Sequence, residues 1–375
     1  MNILITGGAG FIGANLVTRL HAEGHSLRVL DTLSPQIHGV DPSQSPLRCQ
    51  IEGKCEFLQG DVTDRAIVDS ALEGCDAVVH LAAETGTGQS MYEVAHYCHT
   101  NVQGTAVLLE AIAARKSTIR RVVVASSRAV YGEGRYELDE KYVYPTGRFE
   151  ADLSHGKFEP RCPDTGRELK VVATDEGSRI QPNSIYGLTK YTQEHMTLLN
   201  CKALGIGAVA LRFQNVYGPG QSLSNPYTGI LSIFSTRIRH GRGIDIYEDG
   251  EESRDFVYID DVVESLVLAL RNEEATGEAF GIGTGIATSV MTVARTLVDL
   301  YGIEVPLTVT GAYRVGDIRH NFADIAKAER LLGFKARIPF REGITRFVQW
   351  VLEQPIQIDT YGESVESLKK RGLFK

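Results

Sequence analysis

Short apolar runs alternate with longer stretches of helical periodicity through the first half of the chain. Residues 3–6, 27–31, 56–58, 77–81 and 121–125 are short, mainly apolar runs. A strand with one wet face alternates apolar and polar residues, so these read as strands buried on both faces. Between them, residues 11–23, 63–72 and 90–115 carry apolar positions at helical spacing. The rhythm predicts an α/β body: a doubly wound parallel sheet covered by helices on both sides. A further helix at 184–203 and a strand at 208–213 extend it.

After about residue 218 the pattern changes. Strands at 244–247 and 305–309 mix with helices at 258–271, 290–301, 325–332 and 341–352, which predicts a smaller α+β lobe. Residues 1–218 and 219–375 are therefore the expected domains, with the chain free to cross between them. Residues 32–54 and 132–181 show weak periodicity and read as long loops, the second an insertion into the first domain. Loops of that length in compact domains are usually functional.

With 375 residues, 43% hydrophobic and 23% charged, the chain can bury a large core and lacks the signature of disorder. The net charge, 39 − 47 = −8, argues against a nucleic-acid surface while leaving room for a local cationic pocket. No apolar run reaches the roughly 18 residues that span a bilayer, so no membrane is expected. The chain opens directly on a strand without a charged leader, and its six cysteines form no C-x-x-C. Free thiols, a cytoplasmic location and no metal site are the expectations.

The run Thr6-Gly7-Gly8-Ala9-Gly10-Phe11-Ile12-Gly13 joins the first strand to the first helix. Gly7, Gly10 and Gly13 let the backbone turn tightly and approach a pyrophosphate held at the helix N-terminus, the Rossmann arrangement. Asp31 ends the second strand, where a carboxylate accepts from both ribose hydroxyls and repels a 2′-phosphate; NAD is favoured over NADP. Asp61 and Val62 end the third strand, facing the adenine or capping the helix from residue 63. Leu81, Ala82 and Ala83 leave space for the cofactor beside the fourth. Tyr186 and Lys190 lie four apart, on one face of a helix. A neighbouring ammonium favours the phenolate, and Ser126-Ser127 at a strand's carboxyl end can orient a substrate hydroxyl beside it.

These motifs resemble the extended short-chain dehydrogenase/reductase family, and within it the NAD-dependent nucleotide-sugar epimerases. Asn101, Val130-Tyr131-Gly132, the run 211–219, Arg254-Asp255-Phe256-Val257 and Arg314-Val315-Gly316-Asp317 also carry the likeness, which covers about residues 1–350. The resemblance implies that Tyr186 is the base, Lys190 binds the nicotinamide ribose and Ser127 holds the reacting oxygen. It places Asn101 and Ser126 on the cofactor side. Asn215, Arg254 and Arg314 would hold a nucleotide diphosphate and Tyr247 its base, with Thr85, Arg128, Leu231 and Asp317 along the same cleft. Asn321 would help set the room around the sugar.

Family 4,6-dehydratases carry Asp-Glu where this chain has Arg128-Ala129, so the elimination lacks its acid and base. Residues 224–231 and 248–250 look like a subgroup acting on 6-deoxyhexoses, making dTDP-L-rhamnose/dTDP-6-deoxy-L-talose 4-epimerisation the first expectation. UDP-hexose 4-epimerisation, CDP-sugar 2-epimerisation, 4-ketoreduction and a non-enzymatic NAD sensor are the alternatives. The resemblance also implies a homodimer packed through the helices at 90–115 and 184–203.

Overall fold

The computed structural model describes residues 1–223, 229–359 and 361–375; Ser224 to Thr228 of the 6-deoxyhexose-like run lie outside them. Seven parallel strands form the main sheet: β1 (Asn2–Thr6), β2 (Ser26–Asp31), β3 (Glu56–Gln59), β4 (Ala77–His80), β5 (Arg121–Ser127), β6 (Gly207–Phe213) and β7 (Glu278–Ile282). Their order is β7-β6-β5-β4-β1-β2-β3. Alternate side chains of one strand enter different cores: Ile3 and Ile5 join one cluster and Leu4 the other. Both faces are thus dry, which is why these strands read as mainly apolar runs.

Helices Phe11–Ala22 and Ile259–Arg271 cover one face, through Leu16, Leu20, Val262 and Leu266. Arg65–Ala71, Gly104–Ala113 and Ile185–Leu204 cover the other, through Val68, Leu108 and Cys201. Both β7 and Ile259–Arg271 come from beyond residue 218, so the second half of the chain re-enters the first body. The smaller lobe contains the parallel pair Ile244–Ile246 and Leu307–Val309 and a sheet ordering Thr288–Ser289, Ser253–Arg254 and His320–Asn321.

Four local expectations change. The helix expected at 90–115 is broken into Thr87–Ser90, Val94–Tyr97, a π-helical stretch Cys98–Gln103 and Gly104–Ala113. The helix expected at 325–332 likewise ends in a π-helical segment, Ala328–Leu332, closed by left-handed Gly333. Residues 32–54 are not an open loop: Pro35–His38 and Pro46–Gln50 are short helices begun by proline, and Leu47 and Ile51 reach the core.

The insertion is not a loop either. Tyr136–Leu138 pairs antiparallel with Lys141–Val143 and with Lys170–Val171 around a small core of Tyr136, Cys162 and Leu169. Its hairpin turns on Asp139 and Glu140, at φ 50° and 60°, a primed turn built without glycine.

Candidate active site

The phosphate loop follows from the close approach of two backbones. Gly7 sits at φ +68°, and a Cβ there would stand 2.7 Å from the Ala82 amide nitrogen. A Cβ on Gly13 would stand 2.5 Å from Gly8 Cα, so the first helix can lie on the loop only without one. Gly10 caps that helix without a side-chain bond, leaving the amides of Phe11, Ile12 and Gly13 for an anion. Asp31 is held over the loop, its carboxylate accepting from the Ala9 and Leu33 amides at 3.0 and 2.9 Å. This cradle fits the pyrophosphate and adenosine ribose of NAD. Asp61 accepts from the amide and hydroxyl of Thr63, both at 2.8 Å, beside buried Val62. The helix N-cap is Asp64, not Asp61, and the helix starts at Arg65. Leu81, Ala82 and Ala83 are partly exposed beyond β4.

Asn101 lies in the π-helical stretch and is fully buried. Its amide oxygen accepts from the Glu84 amide at 2.7 Å, and its nitrogen donates to the Glu84 carbonyl and to Thr189 Oγ1. It ties the loop after β4 to the helix carrying Tyr186 and Lys190, so it shapes the cofactor side through backbone. Ser126 is likewise committed to the fold, its hydroxyl donating to Glu194 Oε2 at 2.6 Å.

The reacting groups converge where β5 ends. Ser184 caps the helix Ile185–Leu204, and Ser90 accepts from the Tyr186 amide at 3.0 Å. The Ser127 hydroxyl lies within hydrogen-bonding reach of the Tyr186 phenol. Ser127 Oγ also accepts from the Ala129 amide at 3.2 Å, which leaves its own proton free to donate. Burial pushes the Tyr186 phenol up, while the Ser127 bond and the Arg128 guanidinium pull it down. The expected partner, Lys190, is instead occupied at 2.8 Å by Gln193 Oε1. Burial, partly offset by Glu194, pushes the Lys190 ammonium down to about 7. The Arg128 guanidinium favours the phenolate and is itself lowered to about 10, first by burial and then by Arg254.

Gln193, His80 and Thr105 were not anticipated. Gln193 Nε2 donates to Thr105 Oγ1 at 2.9 Å, and His80 bridges Thr6 and Thr105 at 2.7 and 2.9 Å. Burial holds His80 down at about 3, so it is a neutral strut. Gln193 and Glu194 follow Lys190 by three and four residues, a helical spacing that could have flagged them.

On the lobe side, Arg254 donates to the carbonyls of Ser253, Arg319 and Ile318 at 2.7–2.9 Å, which locks its direction. Asp317 pairs with Arg314 at 2.8 Å and with Arg254 at 3.3 Å. Burial works against its charge, but Arg314, Arg254, Arg148 and Arg128 outweigh it and hold the carboxyl far below its usual range. Asn215 begins a short strand beside Phe256, Thr85 is exposed after β4, and Tyr247 lies against Arg314. Leu231 departs from expectation: its side chain is in the main core at 1% exposure. Asn321 is buried, its oxygen accepting from Gln214 Nε2 at 3.1 Å, and Gly134 of the insertion packs over it.

The model of the NAD dependent epimerase/dehydratase family matches residues 3–152 and 164–283. The chain belongs to that family. A dTDP-L-rhamnose 4-epimerase of Burkholderia thailandensis is 39% identical over 355 residues, 94% of this chain and 95% of its own. A putative UDP-glucose 4-epimerase of Methanocaldococcus jannaschii is 31% identical, covering 93% and 98%. The crystal structure of a UDP-glucose 4-epimerase from Thermotoga maritima, with UDP-glucose, superposes with a TM-score of 0.73 at 28% identity over 94% of this chain and 99% of that one. The chain is an NAD-dependent nucleotide-sugar epimerase, with NAD as its cofactor.

Proposed function

We propose that this epimerase inverts C4 of a dTDP-6-deoxyhexose, interconverting dTDP-L-rhamnose and dTDP-6-deoxy-L-talose. The observation that carries the reading is the Ser127–Tyr186 pair flanked by the Arg128 cation rather than by the carboxylates a dehydratase uses. The likeness to the Burkholderia relative along nearly the whole chain supports the choice of sugar.

Tyr186 takes the proton of the sugar hydroxyl, and Ser127 holds that oxygen. NAD, when bound, supplies the reversible hydride acceptor. Arg128 makes no hydrogen bond or ion pair with the described residues, so its charge is available to the oxygen and phenolate as they become negative. The keto sugar turns over between the loop after β4 and the lobe, so that the hydride held by bound NAD would return to the other face of C4, and Tyr186 gives the proton back to the sugar oxygen. Asn215, Arg254 and Arg314 bind the diphosphate, with Asp317 keeping the arginines aligned.

The helices Val94–Tyr97, Gly104–Ala113 and Ile185–Leu204 pair with those of a second copy in a homodimer. Leu188 and Leu199, 51% and 57% exposed, lie three turns apart on one stripe and supply its apolar seam. Free thiols and NAD retention suit the reducing cytoplasm.

The test is dTDP-L-rhamnose deuterated at C4. The product is expected to be the talose epimer with the label retained. Label lost from the sugar into reduced cofactor in solution would replace the epimerase reading with a ketoreductase or dehydrogenase.

A further inference from the structure

Beyond the helix Phe340–Glu353 the chain does not trail away but crosses to the residues assigned to the nucleotide. Asp359, nearly fully buried, pairs with Arg242 at 2.7 Å and Arg237 at 3.7 Å. The Tyr361 hydroxyl, at the start of the helix Tyr361–Lys370, meets that of Tyr247 at 2.7 Å. The last residues then pair antiparallel with the loop that bears Arg314. Tyr313 N donates to Lys375 O at 2.9 Å, Val315 N to Leu373 O at 3.0 Å, and Lys375 N to Tyr313 O at 3.0 Å. The Phe374 ring stands edge-on to Tyr247, centroids 5.1 Å apart. Two contacts leave the lobe altogether: Arg371 lies 3.9 Å over the Tyr92 ring of the cofactor half, and Lys375 pairs with Glu150 of the insertion.

We propose that this tail is part of the nucleotide subsite, with Phe374 and Tyr361 setting selectivity for the base of the bound nucleoside diphosphate. The inference rests on the nucleotide-sugar reading. Tyr247 is given a fixed ring plane by Phe374 and a fixed hydroxyl by Tyr361, and a base stacked on that wall meets a rigid aromatic surface. Arg314 is held by the strand pairing on either side of it, so the same segment that shapes the base wall also aims a diphosphate-binding guanidinium. A tail serving only to stabilise the lobe would have no need to reach Tyr92 and Glu150 across the cleft.

The experiment measures dissociation constants of dTDP, UDP, CDP and GDP, and of NAD, for the full chain and its variants. Phe374→Ala is expected to weaken dTDP about tenfold and to flatten the ranking of the four bases, with NAD affinity unchanged. Tyr361→Phe should flatten the ranking to a smaller extent, and Phe374→Tyr, which keeps the ring, should restore it. Unchanged dTDP affinity and ranking in Phe374→Ala would overturn the proposal. Parallel loss of NAD affinity would also do so, by making the tail a general support of the fold. If the unaltered chain binds none of the four diphosphates, the nucleotide-sugar reading itself fails and the tail's role falls with it.

Discussion

In the proposed mechanism Ser127, Arg128 and Tyr186 divide the acid–base work between a hydrogen bond and a charge. Tyr186→Phe removes the proton acceptor and keeps the ring, so turnover should fall by about 10²- to 10⁴-fold while NAD affinity, measured by fluorescence titration, stays nearly unchanged. Arg128→Ala removes the cation that pulls the buried phenol down. The Tyr186 pKa then rises, the phenolate appears only at higher pH, and the acid limb of kcat should move to higher pH. An unmoved limb would show that Arg128 does not act on the phenol. The glycine turn, the place of Asp31 beside it and the shared helix of Tyr186 and Lys190 were legible because fixed local spacings dictate them, whereas the turn of Lys190 toward Gln193 was not. Ser126 and Asn101 were legible as important residues but not in their roles. Whether a hydroxyl or amide faces a ligand or the fold depends on partners such as Glu194 and Thr189, 68 and 88 residues away.

Among the elements, the strands of the central sheet were readable because burial on both faces removes polar residues from them. The insertion was not, since its strands are two or three residues long and its hairpin turn carries Asp139-Glu140 in place of a glycine. What seats it is a charged seam beside a small apolar contact of Leu153 and Phe158 with Tyr313. Arg148 pairs with Glu248 at 2.7 Å, Arg319 with Glu159 and Asp249 at 2.7 Å, and Arg319 N donates to Glu133 at 2.9 Å. Glu252 is the poorly matched member: its Oε2 is buried without a hydrogen bond, and burial together with Glu248 pushes it up to about 7. A carboxyl raised in the folded state contributes stability below its unfolded pKa, near 4.5, and that stability is lost as pH rises through about 7. Glu252→Gln should therefore stabilise the chain at pH 8 by on the order of 1–3 kcal/mol, with the gain vanishing near pH 5. Thermal unfolding at the two pH values checks this, and an equal gain at both would disprove it.

For the whole molecule, length and rhythm predicted a sheet body and a smaller lobe, and both are present. The return of β7 to the sheet was not legible, because an edge strand of five residues pairs with β6 only through the folded topology. The proposed dimer predicts a solution mass about twice 41.1 kDa, and Leu199→Glu should shift it to the single-chain value in light scattering. No helix among the described residues is long and apolar enough to cross a membrane.

The late return of β7 also bears on how the chain is made. When β6 has left the ribosome, the first residue of the partner that will cover its outer edge is still about 65 residues away, counting from Phe213 to Glu278. Until then β6 presents unpaired backbone amides and carbonyls along an apolar strand, the kind of edge that recruits foreign strands. A nascent chain halted between residues 213 and 278 carries the phosphate loop, Ser127 and Tyr186, yet it is the form most exposed to aggregation and most in need of a chaperone.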